Sequence, residues 1–117
     1  MSYIEGFVIP VPTDKKESYR KLAAAAAPIF REYGALRIVE CWGTDLASGN
    51  ATDFKKAAQA KTDENVVFSW VVWPSKEARD EGNRKIMSDE RLSGMDMPFD
   101  GGRIVQGGFE VLLDTDE

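Results

Sequence analysis

Val66–Trp73 is a run of eight residues in which only Ser69 is polar, and it limits the fold more than any other segment. Valine and the aromatic residues favour extended chain, so the run is predicted to be a strand. Side chains alternate along a strand. Val66, Phe68, Trp70 and Val72 therefore share one face, and Val67, Ser69, Val71 and Trp73 share the other. A sheet with water on one side would show a polar set, and neither set is polar. Residues 35–43 behave similarly, with Leu36, Ile38 and Trp42 opposed to Val39 and Cys41. A helical layer covers only one face. The other would be an apolar patch larger than monomers carry, so it is predicted to meet a second copy of the chain. The plainer alternative is a loop of the same chain, Phe54–Ala60 or Met95–Phe99, folded over it. If the Val67 and Val71 side is the one that meets the partner, a charge placed there should dissociate the dimer.

Around this strand the pattern supplies the remaining elements. Residues 3–11 read as a strand ending at its prolines. Thr13 and Asp14 offer N-caps, with Glu17 at capping-box spacing from Asp14. Tyr19, Leu22, Ala23, Ala26, Ile29, Phe30 and Tyr33 then recur at helical spacing, and Gly34 ends that helix in a left-handed conformation. Pro28 lies inside it and is expected to bend it without breaking it, because the Ala23–Ala27 run favours helix. Residues 35–43 form the second strand, 44–52 a loop, and Asp53–Ala60 is read as a strand, although its lysines and alanines also suit a helix. After Val66–Trp73, Ser75 caps a helix to Met87 whose Ala78, Gly82 and Ile86 make a thin inner face. Ser88 and Asp89 cap one further turn, and Ile104–Leu113 is the last strand, where Gly107-Gly108 marks a bulge or a close approach of backbone. The order is β-α-β-β-α-β, an α+β ferredoxin-like sandwich with an antiparallel sheet in one domain spanning residues 1–117.

Composition removes several classes of function. The chain has 117 residues, a net charge of −5 and no histidine. An acidic surface disfavours phosphate, so no nucleic-acid partner is expected. Without histidine and with one cysteine, zinc and haem lose their usual ligands, and neither a metal nor another cofactor is expected. Cys41 has no base or disulfide partner and reads as a buried, inert thiol. No segment reads as a signal peptide or a membrane span, which points to the cytoplasm.

Several blocks together resemble one family. These are the opening Tyr-Ile-Glu-Gly-Phe-Val, Gly34-Ala-Leu-Arg-Ile-Val-Glu-Cys-Trp-Gly43, Val67-Phe-Ser-Trp70, Pro74-Ser-Lys, and Met97-Pro-Phe-Asp-Gly101 followed by Gly107-Gly-Phe109. They resemble the YbaA-like proteins, a family of bacterial proteins without an assigned activity, over nearly the whole chain. The resemblance implies the dimeric α/β-barrel superfamily, in which two ferredoxin-like subunits join sheet to sheet. That superfamily includes cofactor-independent monooxygenases, isomerases, haem-degrading enzymes and ligand-binding proteins, and fold does not choose among them.

The candidate site rests on polar residues inside apolar strands: Glu5, Arg37, Glu40, Ser69 and Glu110. Arg37 and Glu40 are three positions apart and face opposite ways. An ion pair in the core or interface is the plain reading of such charges. The functional reading places Glu40 and Trp42 at a cavity between sheet and helices, with Arg37 on the dimer side. Trp70 and Phe109 are further aromatic candidates for the lining, and Arg103 or Lys85 a cation that reaches Glu40. The resulting expectation is a homodimer binding a small apolar or aromatic molecule. The alternative is a cofactor-independent enzyme, monooxygenase- or isomerase-like, with a carboxylate base.

Overall fold

The computed structural model describes residues 2–116. Four antiparallel strands, β1 (Tyr3–Pro12), β2 (Arg37–Trp42), β3 (Glu64–Trp73) and β4 (Val105–Glu110), form one sheet in the order β2-β3-β1-β4. Helices α1 (Lys16–Glu32) and α3 (Lys76–Met87) are the two crossovers of the split βαβ pattern, and α2 (Phe54–Ala57) and α4 (Glu90–Ser93) are single turns. The ferredoxin-like arrangement follows directly. The two ten-residue strands pair at its centre, from Tyr3 opposite Trp73 to Pro12 opposite Glu64.

Register decides which face goes where. Glu40 lies opposite Ser69 and Ile38 opposite Val71, while Val39 lies opposite Trp70 and Cys41 opposite Phe68. Val67, Val71 and Trp73 are buried with Ile9, Val11, Tyr19 and Ile29 beneath the helices. The other face carries Ile4, Val8, Phe68, Trp70, Val105 and Phe109. There Phe68 is 45% exposed and Phe109 60%, so no described segment closes that face. Phe54, at the start of α2, meets Phe68 edge to face at 5.8 Å, and Trp70 lies beside Phe68 at 5.7 Å.

Four local expectations are corrected. Asp53–Ala60 holds a helical turn, because the Asp53 side chain caps it by accepting the Lys56 N–H at 2.7 Å. Its lysines and alanines obey helix propensity and find no strand to pair with. The Asp14 capping box is absent: a 3-10 turn over Thr13–Lys15 leads into α1, and no side chain caps that helix. β4 ends at Glu110, three residues short of the predicted strand, and its register to β1 is unbroken across Gly107 and Gly108. Gly108 is small because a Cβ there would strike Tyr3 and Arg79. Cys41 is exposed, since its parity puts it on the open face. Elsewhere α1 runs on through Pro28, whose lost partner, the Ala24 carbonyl, belongs to an exposed residue. Gly34 follows it at φ +109°, and the Ala35 N–H closes back on the Phe30 carbonyl at 3.1 Å.

The thin face of α3 is explained by Trp73. This indole is fully buried, and a Cβ on Gly82 would collide with its ring, so α3 sits at glycine distance from the sheet. The Trp73 Nε1 donates to Glu5 Oε1 at 3.2 Å, and Asn83 Nδ2 donates to Glu5 Oε2 at 2.7 Å. Arg79 completes the charge balance 3.6 Å from the same carboxylate. Glu5 is thereby a structural carboxylate, satisfied on both oxygens. We expect Gly82→Val to lower unfolding stability by about 2 kcal/mol or more, as overpacking does; unchanged denaturant midpoints would contradict this packing.

Candidate functional site

On the helix side of the sheet a cavity of about 240 Å³ lies between α1 and the strands. Its floor is Phe7 and Ile9 of β1, Ile38 and Glu40 of β2, and Ser69 and Val71 of β3. Its roof is α1, through Tyr19, Leu22, Ala23, Ala26, Ala27 and Phe30. Ile86, Leu92, Met95, Met97, Phe99 and Ile104 close the remaining side. The alanine run thus does more than favour helix: three of its methyl groups stand where larger side chains would fill the space. A cavity of about 150 Å³ holds benzene, so this one admits one substituted ring or a compact pair. Tyr19 and Phe99 meet across it with ring centroids 5.7 Å apart.

Three polar side chains face this apolar space. The Tyr19 hydroxyl donates to Glu40 Oε1 at 2.7 Å, and Ser69 lies directly across the β2–β3 ladder from Glu40. Glu40 sits on an edge strand and remains accessible as a residue, while its carboxylate is held at the cavity wall. Desolvation pushes the Glu40 carboxyl above the ordinary glutamate range, and hydrogen bonds from Tyr19 and Ser69 pull it partly back. Burial together with the neighbouring carboxylate drives the Tyr19 phenol well above its usual value.

The other predicted site residues are dispersed. Trp42 is on the same face as Glu40, but it packs on Ile9, Val11, Tyr19 and Val67 beside the cavity, with Lys16 Nζ 5.8 Å from its ring centroid. Trp70 and Phe109 are corrected to the opposite face, where they line an open groove of about 540 Å³ with Phe68 and Val105. The cause is register: pairing Glu40 with Ser69 turns Trp70 away. Arg103 does not reach Glu40. It binds Glu64 through two nitrogens, at 2.7 and 2.8 Å, and Asp100 at 3.0 Å. Lys85 pairs with Glu81 instead. Arg37 lies on the open face, as its parity requires. Tyr19 is the member that sequence reasoning assigned only to the helix core; its partner is 21 residues away, and nothing local signals the bond. Ser69 is visible as the lone polar residue of the run Val66–Trp73.

Among the described residues no three cysteine, aspartate or glutamate side chains gather as a metal site, and no helix is long and apolar enough to cross a membrane.

The ferredoxin-like fold is shared with solved oxygenases. A cofactor-independent oxygenase from Streptomyces nogalater, SnoaB, superposes with a TM-score of 0.53 at 14% identity, covering 99% of this chain and 98% of that one. A monooxygenase from the gene ActVA-Orf6 of Streptomyces coelicolor, solved with the ligand Nanaomycin D, gives 0.52 at 16% identity, covering 97% and 93%. At such identities the likeness is one of fold. The chain belongs to the family described as "Protein of unknown function (DUF1428)", matched over residues 2–101. It is 56% identical over 116 residues to the uncharacterised protein YbaA of Escherichia coli K12, covering 97% of this chain and 99% of that protein. The YbaA of Shigella flexneri matches equally.

The Glu64–Arg103 pair gives a test in acid. Arg103 holds the Glu64 carboxyl down at about 2, against roughly 4.3 in an unfolded chain. A lowered carboxylate stabilises the fold above the unfolded value and loses that contribution as pH falls from about 4.3 toward 2. Both side chains are largely enclosed, so solvent screens the pair little. Glu64→Gln should therefore be less stable than the unaltered chain at pH 7, and the gap should close toward pH 2.5. A gap that is constant with pH would show that the pair is not the cause.

Proposed function

We propose that this protein is a cytoplasmic homodimer of single-domain subunits, each binding a small, mainly apolar organic molecule in the cavity between α1 and the sheet. The observation that carries the reading is the cavity itself: a wall of aliphatic, aromatic and methionine side chains interrupted at one place by Glu40, Tyr19 and Ser69. Ligand sites have this composition, an apolar lining with a few convergent polar groups that fix orientation. The neighbour solved with Nanaomycin D supports it, since the same architecture there accommodates an organic ligand.

The dimer is supported by the opposite face. Phe68, Val105 and Phe109 are 45%, 44% and 60% exposed on a surface whose strands present almost no charge. Gly6 lies opposite Gly107, and the Phe109 ring lies over both, leaving the shallow groove beside Trp70. Four strands about 4.8 Å apart make a face roughly 19 Å wide. An apolar sheet of this extent is matched by a copy of itself in the sheet-to-sheet arrangement of the dimeric α/β barrels. The second reading, a cofactor-independent enzyme, is favoured by the position of Glu40 and is taken up below.

Two variants separate the faces. Phe68→Glu should sediment at the protomer mass of 13.0 kDa, while the unaltered chain sediments at twice that. Ala26→Phe should remain a dimer and lose at least about tenfold in affinity for N-phenyl-1-naphthylamine, a neutral apolar fluorophore, by filling the cavity. An unaltered chain that sediments as a monomer would overturn the dimer. Unchanged fluorophore binding in Ala26→Phe would overturn the ligand site.

A further inference from the structure

Resting on that reading of the cavity, we propose that Glu40 is a general base and that the site moves protons on neutral, ring-sized carbon acids such as β,γ-unsaturated ketones.

Glu40 is the single charged side chain among the residues that line the cavity. Carboxylates on this sheet that serve structure have cations: Glu5 has Arg79, and Glu64 has Arg103. Glu40 has none among the described residues. A carboxylate placed against an apolar wall without a cation is a cost to folding, which hydroxyl partners offset only in part. The same placement is what a base requires, because a carboxylate partly desolvated by an apolar wall is more basic and its proton acceptor is already at the edge of the bound molecule. Tyr19 takes Oε1 at 2.7 Å and fixes the carboxylate, leaving Oε2 for a substrate proton. Tyr19 is therefore a positioning residue. Ser69, across the ladder, is the second hydroxyl that hydrogen-bonds the ionised carboxylate, and it helps hold it in place.

The step balances without a co-reactant. Glu40 takes the proton from the carbon beside a carbonyl. The C–H electron pair moves into the carbonyl, giving an enolate. Glu40 then returns the proton to the far carbon of the conjugated system, so the double bond shifts and the carboxylate is regenerated. Nothing is oxidised or reduced.

The groups that face Glu40 are few, so its titration is readable. α1 presents Tyr19, β3 presents Ser69, and Ile86, Leu92, Met95, Met97 and Phe99 of α3, α4 and the loop that follows are all apolar. Lys16 sits over the neighbouring Trp42 ring. The base form exists above the carboxyl's raised pKa, so activity rises with pH to a plateau.

The probe is 5-nitrobenzisoxazole, an apolar ring that reports proton removal directly. A base takes its C3 proton, the N–O bond breaks, and a coloured cyano-nitrophenolate is released. The intact protein should accelerate this with one ionisation midpoint above the ordinary glutamate range. Glu40→Gln should lose roughly 100-fold while still binding N-phenyl-1-naphthylamine. Tyr19→Phe removes a bond to the ionised form, so its midpoint should move to higher pH, a change that a merely structural tyrosine would not cause. Should Glu40→Gln fail to fold, Glu40→Asp keeps the charge, draws the carboxylate back by one methylene and should lower the plateau at least tenfold. Fluorophore binding without Glu40-dependent turnover overturns the base and leaves the ligand site standing. Absence of both overturns both, and a midpoint that ignores Tyr19→Phe overturns the assignment of the titrating group.

Discussion

The ten-residue pairing of β1 with β3 sets where everything else can go. Its register places Ile9 beside Val67 and Phe7 beside Ser69 on the inner side, and Val8 beside Phe68 and Gly6 beside Trp70 on the outer side. Once those two central strands are joined, the helices have one surface to cover, and they cover it over Trp73, Val71 and Val67. The opposite surface inherits Phe68 and Trp70 with no helix left to close it. Burying both faces fully would need about as much apolar partner surface again. The cavity and the open face are therefore two consequences of the same alternation, one inside the protomer and one outside it.

Three carboxylates on this sheet show how environment divides roles. Glu5 is enclosed by Trp73, Asn83 and Arg79 and holds α3 in place. Glu64 is fixed by the planar fork of Arg103 and ties the turn before β4 to the start of β3. Glu40 faces the cavity with only hydroxyl partners. The residue type is identical, and the partners differ. It is the lack of a cation, in an apolar wall with room beside it, that separates a carboxylate available for chemistry from two that hold the fold.

Much of this was legible from alternation alone. The double-sided strand at Val66–Trp73, the βαββαβ order, and the opposite facing of Arg37 and Glu40 follow from a period of two, which sequence shows directly. What alternation leaves open is which set of one strand shares a face with which set of the next. Trp70 and Phe109 are candidates for the cavity for that reason, and the β2–β3 register turns Trp70 outward while the β1–β4 register, pairing Phe109 with Ile4, does the same for Phe109. Apolar neighbours predict a buried Cys41, yet those on its own side of the sheet, Val39 and Phe68, belong to the uncovered face. Arg103 finds Glu64 across 39 residues and Tyr19 finds Glu40 across 21, distances over which composition carries no signal. At Asp53–Ala60 a local rule was available, a capping aspartate ahead of lysines and alanines, and position between strands outweighed it wrongly.

The central claim is that the two faces of the sheet have separate tasks, one binding within the protomer and one joining protomers. Cys41 is a native reporter, because it lies on the outer face opposite Phe68 and is exposed in the protomer. The direct measurement is the rate at which its thiol reacts with a disulfide reagent such as dithionitrobenzoate, in the unaltered chain and in Phe68→Glu. The account predicts a protected thiol in the first and a reactive one in the second, with saturation of the cavity by N-phenyl-1-naphthylamine changing neither rate. Equal, rapid reaction in both proteins would contradict it.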